Sequence, residues 1–376
     1  MSGRIRLAFI LPHLRPGGAE RVVVNYLRAL DRTRFAPFLF LGKAEGAFLD
    51  LVPGDVVRVD LGGSRARRLP RRIAAALDAH GIDVAYSATD AVNLALLVSR
   101  WWGARGTRRI VSVHTTPGEW LAEARYPRLR RLLMRALYPK APSVAVPTDA
   151  IGRDLTQLIG RPLILATLPN PVVEQVGASH RPAGGILRIV AAGRLVESKG
   201  FDLLIDAAAI LFRRGIQIEL VIHGEGPLRQ ALLAKVEQAG LAAAVSLPGY
   251  SGDLSAAFAG ARLCVVPSRR EGFGNVVVEA MAAGVPVLAA ACPGPAGLIE
   301  DGHTGFLVPP GDAAALADAI EALLKRDSLE AVSDAAADTA QRYLVGPATR
   351  RLEQLVENLA GKEWRGKHPD PGQRFR

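Results

Sequence analysis

The sequence predicts an α/β protein of two doubly wound, Rossmann-like domains. Three observations carry that prediction. At 376 residues the chain exceeds the roughly 100–200 residues of an ordinary domain. Short β-branched runs alternate with longer amphipathic segments, which is the βαβ rhythm of a parallel sheet. The alternation is interrupted once, by the turn formers Pro169, Asn170 and Pro171 and the Gly184-Gly185 pair, and then starts again. With 49% hydrophobic and 22% charged residues, the chain can bury a large core, which excludes a disordered or fibrous protein.

In chain order, residues 4–11, 38–41, 56–61, 84–87, 109–114 and 143–147 read as strands, with helices such as 18–30 and 70–79 between them. The second series has strands at 187–192, 217–223, 245–248, 262–267 and 285–290. These boundaries give a first domain over 1–170, completed by a C-terminal helix near 341–360, and a second over 171–340. Residues 361–376 are polar, contain Pro369 and Pro371, and read as a loose tail. Doubly wound domains bind ligands beyond the carboxyl ends of their strands, so two facing ones are expected to enclose a cleft.

Cys264 and Cys292 lie in apolar stretches and suit a reducing compartment rather than a disulfide framework or zinc site. The apolar run at 7–12 is short for a signal peptide, and no window reaches the roughly 18 apolar residues of a membrane span. A cytoplasmic location is expected. The net charge of +11 is uneven: residues 1–180 hold 26 Lys and Arg against 14 Asp and Glu, and residues 181–376 hold 21 against 22. A basic first half points to phosphate-bearing partners, whether nucleic acid, an anionic membrane or a phosphorylated substrate.

The most specific motif is Pro267-Ser268-Arg269-Arg270-Glu271-Gly272-Phe273-Gly274-Asn275, continued by Val276-Val277-Val278-Glu279-Ala280-Met281-Ala282-Ala283-Gly284-Val285-Pro286-Val287. A strand is expected to end at Pro267, Asn275 to cap a helix, and Gly284 to end it. Free amides and the positive dipole end at such a helix start hold a phosphate, and Gly272 and Gly274 permit close approach. Glu271 in the loop and Glu279 about one turn into the helix would flank that anion, where carboxylates accept hydrogen bonds from sugar hydroxyls.

This frame resembles the signature of the family-four retaining glycosyltransferases, group 1, whose GT-B architecture sets two Rossmann-like domains face to face. Gly17-Gly18-Ala19-Glu20-Arg21, Gly193-Arg194-Leu195 with Lys199-Gly200, His223-Gly224-Glu225-Gly226-Pro227, residues 293–302 and Gly305-Phe306-Leu307-Val308-Pro309 follow the family order along nearly the whole chain. The resemblance implies that Arg194 and Lys199 bind the donor diphosphate, two fixed cations offsetting the charge that grows on departure. It also implies that Glu271 contacts the donor sugar, that Glu279 contacts the nucleotide ribose, and that the Gly17-Gly18 loop closes over the phosphates. His114, opening the loop His114-Thr115-Thr116-Pro117-Gly118, would lie near the donor sugar. Retention, a UDP-sugar donor, an acceptor bound by the first domain, and the absence of any metal or other cofactor are likewise implications of the resemblance. The chain has no Asp-x-Asp at a strand end. Arg269-Arg270 departs from the usual family pattern and places two more cations before Glu271.

The basic residues fall in three clusters: Arg65, Arg67, Arg68, Arg71 and Arg72; Arg105, Arg108 and Arg109 after Trp101-Trp102; and the segment 126–140. In the last, Leu129, Leu132, Leu133, Ala136 and Leu137 recur at helical spacing, with Arg128, Arg130, Arg131 and Arg135 elsewhere. That pattern fits either a basic amphipathic helix for an anionic membrane surface or a surface helix packing its leucines on the sheet. A positive acceptor domain favours a phosphorylated or lipid-linked acceptor, or a glycan. Two other classes share parts of these features: a GT-B nucleotide-sugar epimerase, and a basic nucleic-acid-binding protein. The Glu271 to Glu279 frame with Arg194 and Lys199 favours transfer, and no helix-turn-helix, zinc-finger or ribonucleoprotein motif supports nucleic acid.

Overall fold

The computed structural model describes residues 3–63, 68–115, 118, 121, 126–177, 187–326 and 328–361. Arg65, Arg67, Thr116, Pro117, the Gly184-Gly185 pair and the tail beyond Gly361 lie outside them. The chain forms two compact units, one running to Pro171 and resuming at Val345, the other Val172–Leu344.

The first unit contains β1 (Ile5–Leu11), α1 (Gly18–Ala29), β2 (Phe35–Leu41), β3 (Val57–Asp60), α2 (Leu69–Ala79), β4 (Val84–Ser87), α3 (Asp90–Ser99), β5 (Arg108–Ser112), α4 (Pro127–Leu137), β6 (Ser143–Val146), α5 (Asp149–Ile159) and β7 (Leu165–Thr167). Its seven strands lie in the order β3-β2-β1-β4-β5-β6-β7, and all their pairings are parallel. Central strands such as β4 are buried at every position, whereas the edge strands β3 and β7 are mostly open, as expected when helices cover both faces.

The second unit holds β8 (Leu187–Ala192), α6 (Phe201–Arg213), β9 (Ile218–His223), α7 (Arg229–Gln238), β10 (Val245–Gly249), α8 (Ser255–Phe258), β11 (Leu263–Val266), α9 (Asn275–Ala282), β12 (Val287–Ala290), α10 (Pro293–Ala296), β13 (Phe306–Val308), α11 (Ala313–Leu324) and α12 (Glu330–Ala340). Its sheet order is β10-β9-β8-β11-β12-β13, again parallel. The last helix, α13 (Val345–Ala360), returns to the first unit, where Leu352 and Val356 enter the core beside β1 and α1.

Each sheet reverses its strand order once, between β1 and β4 and between β8 and β11. Loops leaving the carboxyl ends at such a reversal diverge to opposite faces and open a crevice. Several boundaries differ from the sequence reading. Strand β5 stops at Ser112, so His114 stands two residues beyond it. The short strands β7 and β13 carry too few residues to show an alternation. Among the described residues, no helix is long and apolar enough to cross a membrane.

Candidate active site

In the second unit the switch point brings the loops after β8 and β11 together. Gly200 follows the 3₁₀ turn Glu197–Lys199 with φ 68° and ψ 22°, a left-handed conformation that favours glycine. A Cβ there would collide with the Pro267 carbonyl, so the two backbones touch. The Arg270 amide donates to the Ser198 carbonyl at 3.1 Å. Arg269 grips both carboxylate oxygens of Asp202 at 2.6 and 2.7 Å and the Glu197 carbonyl at 3.1 Å. This bidentate bond holds the Asp202 carboxyl below its usual range. Arg269, expected to be an extra cation for the donor, is instead a strut that fixes the Glu271 loop to α6.

Within this frame Lys199 Nζ forms an ion pair with Glu271 Oε2, and the Ser268 hydroxyl donates to the same oxygen at 3.3 Å. Both side chains are largely shielded, which reduces the screening an exposed pair would suffer. From behind, the Gly294 amide donates to the Glu271 carbonyl at 3.1 Å, and the Cys292 thiol reaches the Ser268 carbonyl at 3.0 Å. Phe273 is buried and meets Tyr343 edge-on, centroids 5.5 Å apart.

Asn275 does not cap α9. Gly274 holds that position, with φ 95° and ψ 61°, and Asn275 is the first helical residue. The physical reason is the turn itself: it needs a left-handed residue, which glycine supplies without a Cβ penalty. No side chain caps the helix start, and the Val277 amide closes the turn on the Gly274 carbonyl at 2.9 Å. Glu279 follows one turn later, half-buried, close enough to Cys264 for its charge to add to burial in pushing that thiol up.

Arg194 is exposed on the loop after β8. That loop is zipped to the one after β9: the Gly193 amide donates to the His223 carbonyl at 2.9 Å and the Leu195 amide to the Glu225 carbonyl at 2.9 Å. Burial lowers the His223 imidazole. The structure therefore groups Glu271, Gly272, Phe273, Gly274, Asn275 and Glu279 on the loop after β11 and the start of α9, with Lys199 joined to Glu271 by the ion pair from the loop after β8, the loop that also carries Arg194.

The remaining predicted residues belong to the first unit. Gly17 precedes α1 in extended conformation without a side-chain cap. A Cβ on it would strike the carboxylate of Glu20, a buried residue of the first turn, so an internal carboxylate already lies at this helix start. Gly18 is the first residue of α1. His114 is bound at both nitrogens: Nδ1 to the Asn170 amide oxygen at 3.2 Å and Nε2 to the Ser112 hydroxyl at 2.9 Å. An acceptor oxygen at Asn170 puts the proton on Nδ1, and Nε2 then accepts from Ser112. Burial pushes this imidazole down to about 4, against the Asn170 hydrogen bond, which raises it. It is neutral at pH 7.

The sequence reading missed three partners. Asn170 looked like a linker turn between two prolines, but it is buried and orients His114. Asp202 lies 67 residues from Arg269, a separation no local pattern reveals. Asp90, the first residue of α3, is buried to 8% exposure, and its Oδ1 has no hydrogen-bond partner. Burial raises its carboxyl to about 6, opposed by the Thr115 hydroxyl and the charge of Arg130. Among the described residues, no group of three or more His, Cys, Asp or Glu could hold a metal ion.

Two parallel-sheet Rossmann-like units with a phosphate-type loop at a switch point define the class, the GT-B glycosyltransferase fold. The comparisons then name the family. Residues 178–339 match the family model described as Glycosyl transferases group 1, and residues 16–176 match that described as Glycosyltransferase Family 4. The two matches together take in most of the chain, which belongs to the family-four, group 1 glycosyltransferases. An alpha-D-kanosaminyltransferase of Streptomyces kanamyceticus is 34% identical over 190 residues, 50% of this chain and 48% of the relative. The lipopolysaccharide core biosynthesis glycosyltransferase LpsE of Rhizobium meliloti is 33% identical over 176 residues, 46% of this chain and 50% of the relative. The chain thus spans about half the length of the curated relatives it matches. Among solved structures, Anabaena Alr3699/HepE in complex with UDP-glucose superposes with a TM-score of 0.79 over 94% of this chain and 100% of that one, at 22% identity, a likeness of fold.

Proposed function

We propose that the protein is a retaining glycosyltransferase. It moves a hexosyl or N-acetylhexosaminyl group from a nucleoside-diphosphate donor, a UDP-sugar, to a glycan, lipid-linked or phosphorylated acceptor in bacterial cell-surface polysaccharide or glycolipid synthesis. It would work in the cytoplasm. The observation that carries the reading is the Lys199–Glu271 pair beside the uncapped start of α9 at the β8/β11 switch point. An ammonium from the loop after β8, with a carboxylate and a helix start from the loop after β11, are the groups a sugar diphosphate requires.

In this reading Lys199 and Arg194 take the diphosphate, together with the amides at Gly274 and Asn275. Gly272 and Gly274 let the backbone approach, and Phe273 anchors the loop from below. Glu271 accepts hydrogen bonds from the donor sugar, and Glu279 from the ribose. Transfer breaks the bond between the anomeric carbon and the phosphate oxygen, and the electron pair leaves with the nucleoside diphosphate. The acceptor oxygen bonds to that carbon on the same face, and its proton passes to the departing phosphate. The cations stabilise the charge that appears, so no protein nucleophile and no metal is needed. Within the first unit, His114 offers a neutral hydrogen-bonding group at the carboxyl edge of the sheet, and Gly17-Gly18 open α1 beside the Glu20 carboxylate.

Calorimetry with uridine, guanosine and adenosine diphosphates and their sugar conjugates tests this. UDP and one UDP-sugar are expected to bind, and Lys199→Ala and Glu279→Ala each to weaken binding by about tenfold or more, the loss of one charge-assisted hydrogen bond. Binding of none of them, or variants that bind like the wild type, would overturn the reading. A product of inverted anomeric configuration by NMR would remove retention alone.

A further inference from the structure

Helix α4 turns toward solvent the residues that a crossover helix ordinarily buries. Only Met134 and Leu137 are buried, as members of the core cluster that also holds Val111, Val144 and Tyr138. Leu129, Leu132 and Leu133 are 54%, 64% and 36% exposed, and Tyr126 just before the helix is 58% exposed. At 3.6 residues per turn the three leucines and the exposed Ala136 occupy one arc of roughly 100°. Arg128, Arg131 and Arg135, all exposed, take the adjoining arc on the side away from the core. The segment 126–140 contains no acidic residue. Of the two readings the sequence left open, packing of the leucine stripe on the sheet is thus excluded for all but Leu137.

The placement of this face adds a second argument. A crossover helix runs antiparallel to its strands, so the first turns of α4 stand at the carboxyl edge of the sheet. Leu129, Leu132 and Leu133 belong to those turns, at the edge where His114 and Asp90 follow β5 and β4. We infer that this face of α4 seats the protein on an anionic bilayer, and that the acceptor is a lipid-linked molecule presented from that surface. The second half of the inference rests on the glycosyl-transfer reading above. The leucines enter the boundary between headgroups and acyl chains while the three guanidiniums bind lipid phosphates, the division of labour of an interfacial helix. A soluble protein partner would match the leucines, but an arginine edge with no carboxylate matches a sheet of phosphates.

Flotation of the full chain with phosphatidylcholine–phosphatidylglycerol vesicles and with pure phosphatidylcholine vesicles tests it. Association with the anionic vesicles alone is expected. The double variant Leu129→Glu/Leu132→Glu and the triple variant Arg128→Gln/Arg131→Gln/Arg135→Gln should each lower it by about tenfold or more. Because these side chains are exposed, Tm and UDP binding should stay at the wild-type values, which separates this inference from the donor reading. Absence of the wild type from both vesicle types, or unchanged flotation of both variants, overturns it. So does a wild-type oligomer that Leu129→Glu/Leu132→Glu converts to monomer without any flotation, since a second copy then covers the face. Loss of UDP binding by the wild type with flotation intact would overturn the transfer reading and leave the membrane surface standing.

Discussion

His114 and Asp90 are both carried at the carboxyl edge of the first sheet, and burial drives their proton equilibria in opposite directions. His114 is held down to about 4 and Asp90 up to about 6. Between pH 6.5 and 4 the unfolded chain binds a proton at the histidine that the folded chain refuses, so acidification through this window costs stability. Between pH 6 and 3.9 the folded chain binds a proton at Asp90 that the unfolded chain releases, so acidification there adds stability. The two contributions largely cancel in the wild type. Single variants uncouple them: from pH 7 to 5, Asp90→Asn keeps only the histidine loss and His114→Asn only the aspartate gain, so the first should lose on the order of 3 kcal/mol more stability than the second. Denaturant unfolding at the two pH values reads this directly, and parallel pH profiles for the two variants would show that neither shift exists.

At the level of elements, the geometry of the Glu271 loop depends on its neighbours more than on its own residues. Gly294, at the start of α10, has room for nothing but hydrogen: a Cβ would stand 2.7 Å from both the Glu271 carbonyl oxygen and the Phe273 nitrogen. Gly294→Ala should therefore push the loop away from α10, costing about 1–3 kcal/mol as other overpacked sites do. It should also weaken UDP-sugar binding through displaced Glu271 and Lys199. Gly252→Ala, where a Cβ meets nothing within 4 Å, serves as the control, and a Gly294→Ala protein with wild-type Tm and binding would refute the clamp. Much of this region was legible in the sequence, because a strand, a glycine loop and a helix start leave local marks in composition and spacing. What supports the loop was not. The Arg269–Asp202 and Gly294–Glu271 contacts join residues far apart in the chain, and Gly274 takes the cap that Asn275 resembles because backbone handedness outweighs side-chain preference. Helix α4 shows the same limit: its period gave an amphipathic helix correctly, but only packing decides which arc faces the core.

For the whole molecule, the division at Pro171 and Leu344 has a mechanical consequence. The second unit closes on itself: the Val172 amide donates to the Tyr343 carbonyl at 2.9 Å, and Val173 bridges to Leu344. Both of its ends are thus fastened together, and its two clusters of core residues come only from within Val172–Leu344. The first unit is different, because its chain leaves at Pro171 and its core is finished by α13. There Leu352 and Val356 are fully buried, the Glu353 carboxylate accepts from the Asp31 amide at 2.8 Å, and Arg34 pairs with Glu353 at 3.4 Å and with Glu357. Removing two such aliphatic side chains forfeits about 1.5–3 kcal/mol each, a large share of the roughly 5–15 kcal/mol that holds a domain together. A fragment of residues 172–344 should therefore fold alone and bind UDP within about tenfold of the full chain, since every predicted diphosphate and ribose contact except the Gly17-Gly18 loop lies inside it. A fragment ending at residue 171 should lack a cooperative transition until a peptide of residues 345–360 is supplied. Circular dichroism melting of each fragment and calorimetry of the first decide the matter: a cooperative melt of 1–171 by itself would mean that α13 is an accessory, and a folded 172–344 that ignores UDP would move the donor site off the loop on which Lys199 and Glu271 meet.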